Sequence, residues 1–191
     1  MRRAAALLLL ANVLALPQLG EAKPRFFVYL RAVKEQVNTR CKLASQARAL
    51  VKKLLAKDPT ITLDLGAPMP KSKKALAKLL AAKKLRGYGI VFRITRCKHS
   101  LNPPAKGRRA KVLMVEVGSA LDAETIPSGQ LALAGIGAGQ VGTEVSRIRK
   151  EELASLRADA LEVAAKQSVA RFITNLGSRR SHPPSKRRRR R

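Results

Sequence analysis

Three consecutive segments between residues 87 and 146 alternate apolar residues with small or polar ones. The apolar positions are Ile90, Phe92 and Ile94, then Leu113, Val115 and Val117, then Leu131 and Leu133. A period of two is typical of strands whose sheet buries one face. Turn-forming Pro127, Ser128 and Gly129 separate the last two segments. The pattern predicts three strands in succession, with these apolar residues on the buried face.

Two strand–helix units and a long terminal helix are predicted around these strands. Residues 23–33 and 60–65 alternate like strands, while residues 39–57, 72–85 and 149–176 carry apolar residues at helical spacing. Asp58-Pro59 ends the first helix, Ser72 caps the second, and Gly177 closes the third. The order β-α-β-α-β-β-β-α predicts an α/β (α+β) two-layer sandwich with a mixed sheet.

Three segments carry a resemblance to known domains: ARALVKKLLAKDPTITLDL, KALAKLLAAKKLRGYGIVFRI and ALEVAAKQSVARFITNL. Their order resembles small bacterial envelope domains of the curli-secretion lipoprotein, penicillin-binding-protein activator lipoprotein and TolB N-terminal type. The resemblance covers most of residues 23–176 and concerns topology. It implies a single α/β domain of the cell envelope and assigns no functional residue.

Residues 1–22 have the pattern of a signal peptide. Arg2 and Arg3 precede an uncharged, mostly apolar run that ends at Pro17, and Gly20 and Ala22 stand at the positions that a signal peptidase reads. The run is too short to span a membrane, which takes about 20 apolar residues. A buried N-terminal helix is the alternative. The agreement of position, basic flank and small residues favours export, with a mature chain that begins near Lys23 and resides in the periplasm or cell envelope.

Positive charge is concentrated in two parts of the chain. The formal net charge of the 191 residues is +28. Residues 23–110 contain 23 basic and 3 acidic side chains, a net +20, whereas residues 111–176 have a net charge of −1. Residues 177–191 add +8 without an apolar residue to anchor them, and we expect a disordered tail. Such asymmetry attracts polyanions: wall polymers, lipid headgroups, acidic proteins or nucleic acid.

The candidate polyanion-binding residues lie on the second predicted helix and in the tail. They are Lys74, Lys78, Lys84, Arg179, Arg180, Lys186, Arg187, Arg188, Arg189, Arg190 and Arg191. The second helix has the pattern either of a basic segment lying on a membrane or of a helix that covers the sheet. Its place between two strands favours the second interpretation. Non-specific binding to nucleic acid is the alternative function, since charge alone supports it and no stacking platform or DNA-reading motif is evident.

Cys41 and Cys97 are the two cysteines of the chain, and we predict that they form a disulfide. Cysteines of exported proteins are usually paired, and closing a loop of this length stabilises a fold by roughly 4 kcal/mol in the loop-entropy model. Strict alternation puts Cys97 on the face opposite Ile90 and Phe92. The bridge therefore requires a bulge, a strand end or helices on that opposite face.

The chain offers few residues for catalysis, and we expect a protein that is not an enzyme. Gly137, Gly139 and Gly142 formally match G-x-G-x-x-G, but the run follows a hairpin and does not open a helix. A glycine-rich or bulged strand explains it better. His99 and His182 are the two histidines, and no carboxylate or Cys-x-x-Cys spacing accompanies either. No catalytic, cofactor-binding or metal-binding residue and no cofactor is predicted.

Overall fold

A computed structural model describes residues 25–36, 41–70, 72–104 and 110–178, and the predicted order of elements is confirmed. The elements are β1 (Phe26–Glu35), α1 (Ala44–Leu55), β2 (Ile61–Thr62), α2 (Lys73–Ala82), β3 (Arg86–Asn102), β4 (Lys111–Ile126), β5 (Leu131–Val145) and α3 (Lys150–Ser178). The predicted signal peptide and tail residues 179–191 lie outside the described residues. The predicted domain limits therefore stay a prediction.

The sheet is mixed, with the strand order β2-β1-β3-β4-β5. β1 runs parallel to β2 and to β3, because helices connect these strands, whereas β3, β4 and β5 are antiparallel neighbours. In the turn after β4, Gly129 has a φ of +70° and donates its N–H to the Thr125 carbonyl oxygen at 2.7 Å. That left-handed conformation explains the glycine at this turn.

Helices α1 and α3 cover one face of the sheet, which completes the predicted two-layer sandwich. The fully buried side chains between the layers include Ile90, Phe92 and Val115 from the sheet and Phe172 from α3. The ring of Phe172 meets that of Tyr88 edge to face, with centroids 6.5 Å apart. This aliphatic and aromatic core holds the three central strands and the long helix together.

The opposite face is covered only at one corner, by α2. Phe27 points away from the main core and packs with Leu65, Leu76 and Leu80 in a second, smaller cluster. Phe27 alternates along β1 with Phe26 and Val28, which face the main core. The adjacent pair Phe26-Phe27 was the available signal, because two bulky apolar neighbours on a strand require cover on both faces. The remainder of this side of the sheet, called the open face below, carries no helix among the described residues.

Strand β5 differs from the prediction, because Leu131 is 70% exposed and glycines occupy the helix-facing positions. A β-carbon added at Gly137 would lie 1.9 Å from the Ala164 carbonyl oxygen of α3, and Gly135 and Gly139 are equally close to the helix backbone. A register shift next to Ala123 changes the alternation at the start of β5. The glycine run therefore lets α3 lie directly on the strand.

The helix and strand ends also differ from the predicted bounds. α1 begins at Ala44, whose N–H donates to the Glu35 side chain of β1 at 2.7 Å, so a carboxylate from the sheet fixes the helix start. β2 is only two residues long, because the Thr62 hydroxyl bonds the Asp64 carbonyl oxygen at 2.6 Å and turns the chain away from the sheet. Gly177 does not end α3, which continues to Ser178.

The structure joins Cys41 to Cys97, with Cα atoms 6.4 Å apart, and so confirms the predicted disulfide. A register shift between Ile94 and Arg96 supplies the bulge that the sequence required. Beyond it, Cys97 lies opposite Val117, a residue of the helix-covered face. One inserted residue thus reverses the alternation and turns the cysteine toward α1.

Candidate polyanion-binding surface

Helix α2 forms where the sequence predicts it and is capped at both ends. The Ser72 hydroxyl accepts the Ala75 N–H at 3.1 Å. At the other end, Lys84 has a φ of 55°, and its N–H donates to the Ala81 carbonyl oxygen at 3.0 Å. Leu85 then donates to the Leu80 carbonyl oxygen at 2.9 Å. This pair of bonds is the Schellman motif, with a lysine at the position that glycine usually occupies.

One face of α2 is held tightly on the sheet. Leu76 and Leu80 are buried against Phe27 of β1. A β-carbon at Gly87 would lie 2.5 Å from a methyl group of Leu80, so this glycine makes room for the helix. The predicted role of α2 as a cover for the sheet is confirmed at this corner. Because this face of α2 is packed on the sheet, the opposite face is turned to solvent.

The solvent-facing side of α2 and its final turn carry four exposed lysines, which we call the α2 lysine surface: Lys74, Lys78, Lys83 and Lys84. None of the four pairs with an acidic side chain in the part of the chain that the structure describes. Lys74 also stands in the first turn, where the helix dipole disfavours a cation, and Lys78 repeats its charge one turn later. Lys74 and Lys78 thus place positive charge against the electrostatic preference of the helix, whereas Lys83 and Lys84 lie at its C-terminal end, where the dipole favours a cation.

The arginines of the open face are arranged differently, because each has a carboxylate partner. Three ion pairs cross the strands there: Arg31–Glu124, Arg93–Asp122 and Arg96–Glu116. They are solvent-exposed pairs, which contribute little to stability. Their main consequence is electrostatic, since they pair Arg31, Arg93 and Arg96 with carboxylates, whereas the lysines of the α2 lysine surface have no such partner among the described residues.

Of the sequence-predicted binding residues, the structure places Lys74 and Lys78 one turn apart on α2 and Lys84 just beyond the end of that helix. It adds Lys83, which the sequence analysis did not single out although it adjoins Lys84. The tail candidates Arg179, Arg180, Lys186 and 187–191 lie outside the described residues. The polyanion-binding role of all these residues remains a prediction.

Among the other candidates, His99 lies exposed on β3 opposite Val115. Within the described residues, no group of three or more His, Cys, Asp or Glu side chains is placed to hold a metal ion. Across the same residues, no helix is both long and apolar enough to cross a membrane. Gly137, Gly139 and Gly142 belong to the middle of β5, and the first two face α3. Packing against α3 therefore explains the first two glycines of the motif, whereas Gly142 lies against the Met114 side chain of β4.

No family model and no curated protein matches this chain. Among solved structures, it is similar to a minor lipoprotein from Acinetobacter baumannii at 8% identity and a TM-score of 0.45, covering 81% of this chain and 96% of that one. For protein XCC0632 from Xanthomonas campestris, described with the family DUF330, the identity is 10%, the TM-score 0.44 and the coverage 86% and 91%. For lipoprotein GNA1162 from Neisseria meningitidis, the identity is 8%, the TM-score 0.32 and the coverage 81% and 99%.

Two of these three structures are therefore of bacterial lipoproteins. All three TM-scores are below 0.5, so these similarities do not indicate what this chain binds. None of the three is described as a curli-secretion, penicillin-binding-protein activator or TolB protein. The resemblance to those particular families stays a prediction.

Proposed function

We propose that this chain is a non-catalytic, exported protein of the bacterial cell envelope that binds anionic partners through the α2 lysine surface. The observation that carries the proposal is the set of four exposed lysines without an acidic partner among the described residues, on a helix whose other face is fixed to the sheet. Such departures from local electrostatic preference are expected at functional sites. An anion bound there would relieve the repulsion between the lysines.

Export is supported by the pattern of residues 1–22 and by the disulfide between Cys41 and Cys97. Disulfides persist in oxidising compartments such as the periplasm and are rare in the cytosol. Cell fractionation tests this part of the proposal. Mature protein that begins near Lys23 and is released with the periplasm would support it, whereas full-length protein retained with the nucleoid would contradict it and favour the nucleic-acid alternative.

The partner class is an anionic wall polymer, lipid headgroup or acidic protein. The tail, which carries +8 over residues 177–191, is a second source of attraction for the same partners. A basic residue near an anionic membrane contributes about 1 kcal/mol of binding. By this measure the eight basic residues of the tail could contribute about twice as much as the four lysines of the α2 lysine surface, so an experiment must separate them.

Co-sedimentation of the mature chain with vesicles rich in phosphatidylglycerol separates these sources. Reversal of Lys74, Lys78, Lys83 and Lys84 to Glu should weaken binding at least about tenfold at low salt, because four attractive charges become repulsive. The matched control reverses Arg48, Lys52, Lys53 and Lys57 of α1, which changes the net charge equally. A chain that ends at Ser178 measures the share of the tail.

The two reversals distinguish a localised surface from a general charge effect. The proposal expects the α2 reversal to lose more affinity than the α1 reversal, with or without the tail. Equal losses from both reversals would show that only net charge matters. Unchanged binding by the α2 reversal, together with loss on removal of the tail, would assign the attraction to the tail alone.

A further inference from the structure

A groove of about 350 Å³ lies between α2, the loop before it and the open face of the sheet. Its lining includes Tyr29 of β1, Met69 of the loop, Lys73 and Leu76 of α2, and Pro127 of the turn after β4. The volume falls within the range of small-molecule sites in proteins, and most of these side chains are apolar. The groove is separate from the α2 lysine surface, which faces solvent on the other side of the helix.

Gly89 of β3 lies in the floor of the groove, where the absence of a side chain makes room for the stem of Arg31. Tyr29, Gly89 and Glu124 are neighbours across three adjacent strands, and the central position has no side chain. The stem of Arg31 lies over the glycine, since a β-carbon added there would be 2.8 Å from the Arg31 Cδ atom. Arg31 then pairs with Glu124. This ion pair forms a fixed wall at one end of the groove.

Two large apolar side chains are exposed at the groove. Tyr29 is 41% exposed and Met69 40% exposed, although α2 buries Phe27 only two residues before Tyr29 on the same strand and face. The helix therefore covers Phe27 but leaves Tyr29, the next residue on this face of the strand, partly exposed. Exposed apolar side chains that converge on a concave surface are typical of a ligand site.

Lys73 supplies a positive charge at the same groove. It stands in the first turn of α2 and has no acidic partner among the described residues. The N-terminus of the helix adds its own partial positive charge at this end. The charged side chains of Arg31 and Glu124 also line the groove, and they are paired with each other. Lys73 is thus the lining cation that has no carboxylate partner.

We propose that this groove binds a small anionic amphiphile: a single apolar chain that lies on Tyr29, Met69, Leu76 and Pro127, with a terminal carboxylate at Lys73. The apolar walls account for the chain, and the uncompensated lysine beside the helix N-terminus accounts for the carboxylate. The proposal does not depend on the α2 lysine surface, because Lys73 is not one of its residues.

Titration of the mature chain with decanoate, below its micelle concentration and followed by amide chemical shifts, tests the proposal. The expected result is saturable binding with shifts at Tyr29, Met69, Gly89 and the first turn of α2. Lys73→Met should weaken the affinity about tenfold, as expected for loss of a charge-assisted hydrogen bond. Lys74→Met is the matched control, since it removes the same charge from the next residue outside the groove.

Decanol, which has the same chain without the charge, completes the design. It should bind more weakly than decanoate and be insensitive to Lys73→Met. Absence of saturable decanoate binding, equal weakening by the Lys73 and Lys74 variants, or equal affinity for decanol and decanoate would each overturn the proposal. The variant with Lys74, Lys78, Lys83 and Lys84 changed to Glu should still bind decanoate saturably at the groove. Failure of one proposal therefore does not imply failure of the other.

Discussion

At the scale of single residues, close contacts with backbone atoms explain why glycine or serine occupies several positions between the sheet and α3. Gly135, Gly137 and Gly139 bring β5 against the carbonyl oxygens of α3. Ser119 and Ser168 are both fully buried between the sheet and α3. The Ser119 hydroxyl donates its one proton either to the Ala164 carbonyl oxygen at 3.0 Å or to the Ser168 hydroxyl oxygen at 3.2 Å, and the Ser168 hydroxyl donates to the Ala165 carbonyl oxygen at 3.1 Å. Together these contacts fix how closely, and in which register, the long helix lies on the sheet.

Replacement of Gly137 by Ala should destabilise the fold by at least about 2 kcal/mol, because the new methyl group would overlap a helix carbonyl oxygen that no side-chain rotation can move. Gly177→Ala is the control. Its site in α3 is open, and alanine favours a helix by up to about 1 kcal/mol relative to glycine. Chemical denaturation measures both. An unchanged midpoint for Gly137→Ala would contradict the close packing of α3 on β5.

Lys84 allows a test of backbone strain at the α2 lysine surface. Its φ of 55° is disfavoured for any residue with a β-carbon, so Lys84→Gly should raise the free energy of unfolding by about 1 kcal/mol. Lys84→Ala removes the same charge and keeps the β-carbon, so it should bring no such gain. If the two variants melt at the same temperature, lysine is not strained at this position.

At the scale of elements, α3 both covers the sheet and protects its long edge. Gln167, Arg171 and Asn175, spaced one turn apart, bond the outward backbone groups of alternate β5 residues. Gln167 accepts the Ala138 N–H at 3.2 Å, while Arg171 and Asn175 donate to the carbonyl oxygens of Ile136 and Ala134 at 2.8 and 3.0 Å. An unprotected edge strand is a template for pairing with another chain.

Simultaneous replacement of Gln167, Arg171 and Asn175 by Ala should therefore promote self-association. The variant would expose three backbone groups next to Ile136, which is already 63% exposed. Sedimentation velocity across a concentration series measures the effect. The control replaces Glu162 and Lys166 by Ala, because these two residues form an exposed ion pair with each other on the same helix. Equal behaviour of the two variants would show that the polar row does not guard the edge.

The order and type of the elements could be predicted from the sequence, because apolar periodicity and helix breakers such as Pro59 are local signals. The side of the sheet that each residue faces was harder to predict. Register shifts near Ile94 and Ala123 reverse the alternation, which brought Cys97 to the core side and misplaced Leu131. A bulge depends on pairing with a distant strand, so a single strand's pattern does not reveal it.

The α2 lysine surface could be predicted in part, because the spacing of lysines along a helix is also a local signal. The lysines of α2 stand out in the sequence, and the helix places Lys74 and Lys78 one turn apart on its exposed side. The groove was not predicted, since it depends on Gly89, Tyr29 and Lys73 meeting across three separate elements. The pairing of Arg31 with Glu124, 93 residues later, is likewise a product of the tertiary fold.

At the scale of the whole molecule, charge is distributed by element. Cross-strand ion pairs neutralise arginines of the open face, whereas α2 has no acidic residue and no acidic partner among the described residues. Much of the excess positive charge of the described fold therefore lies on and beside α1 and α2, and α2 presents it beside a groove with exposed apolar walls. We propose that α2 is the place where anionic partners bind.

Titration of isotope-labelled mature chain with a soluble anionic polymer, followed residue by residue through amide chemical shifts, tests that claim most directly. Increasing salt should reverse the shifts, since screening weakens exposed charge contacts. If anionic partners bind at α2, the largest shifts within the folded domain should lie in α2 and at Lys83 and Lys84, with smaller ones in α1. Shifts confined to residues 179–191, or as large at Arg48 and Lys52 of α1 as at Lys74 and Lys78, would contradict it.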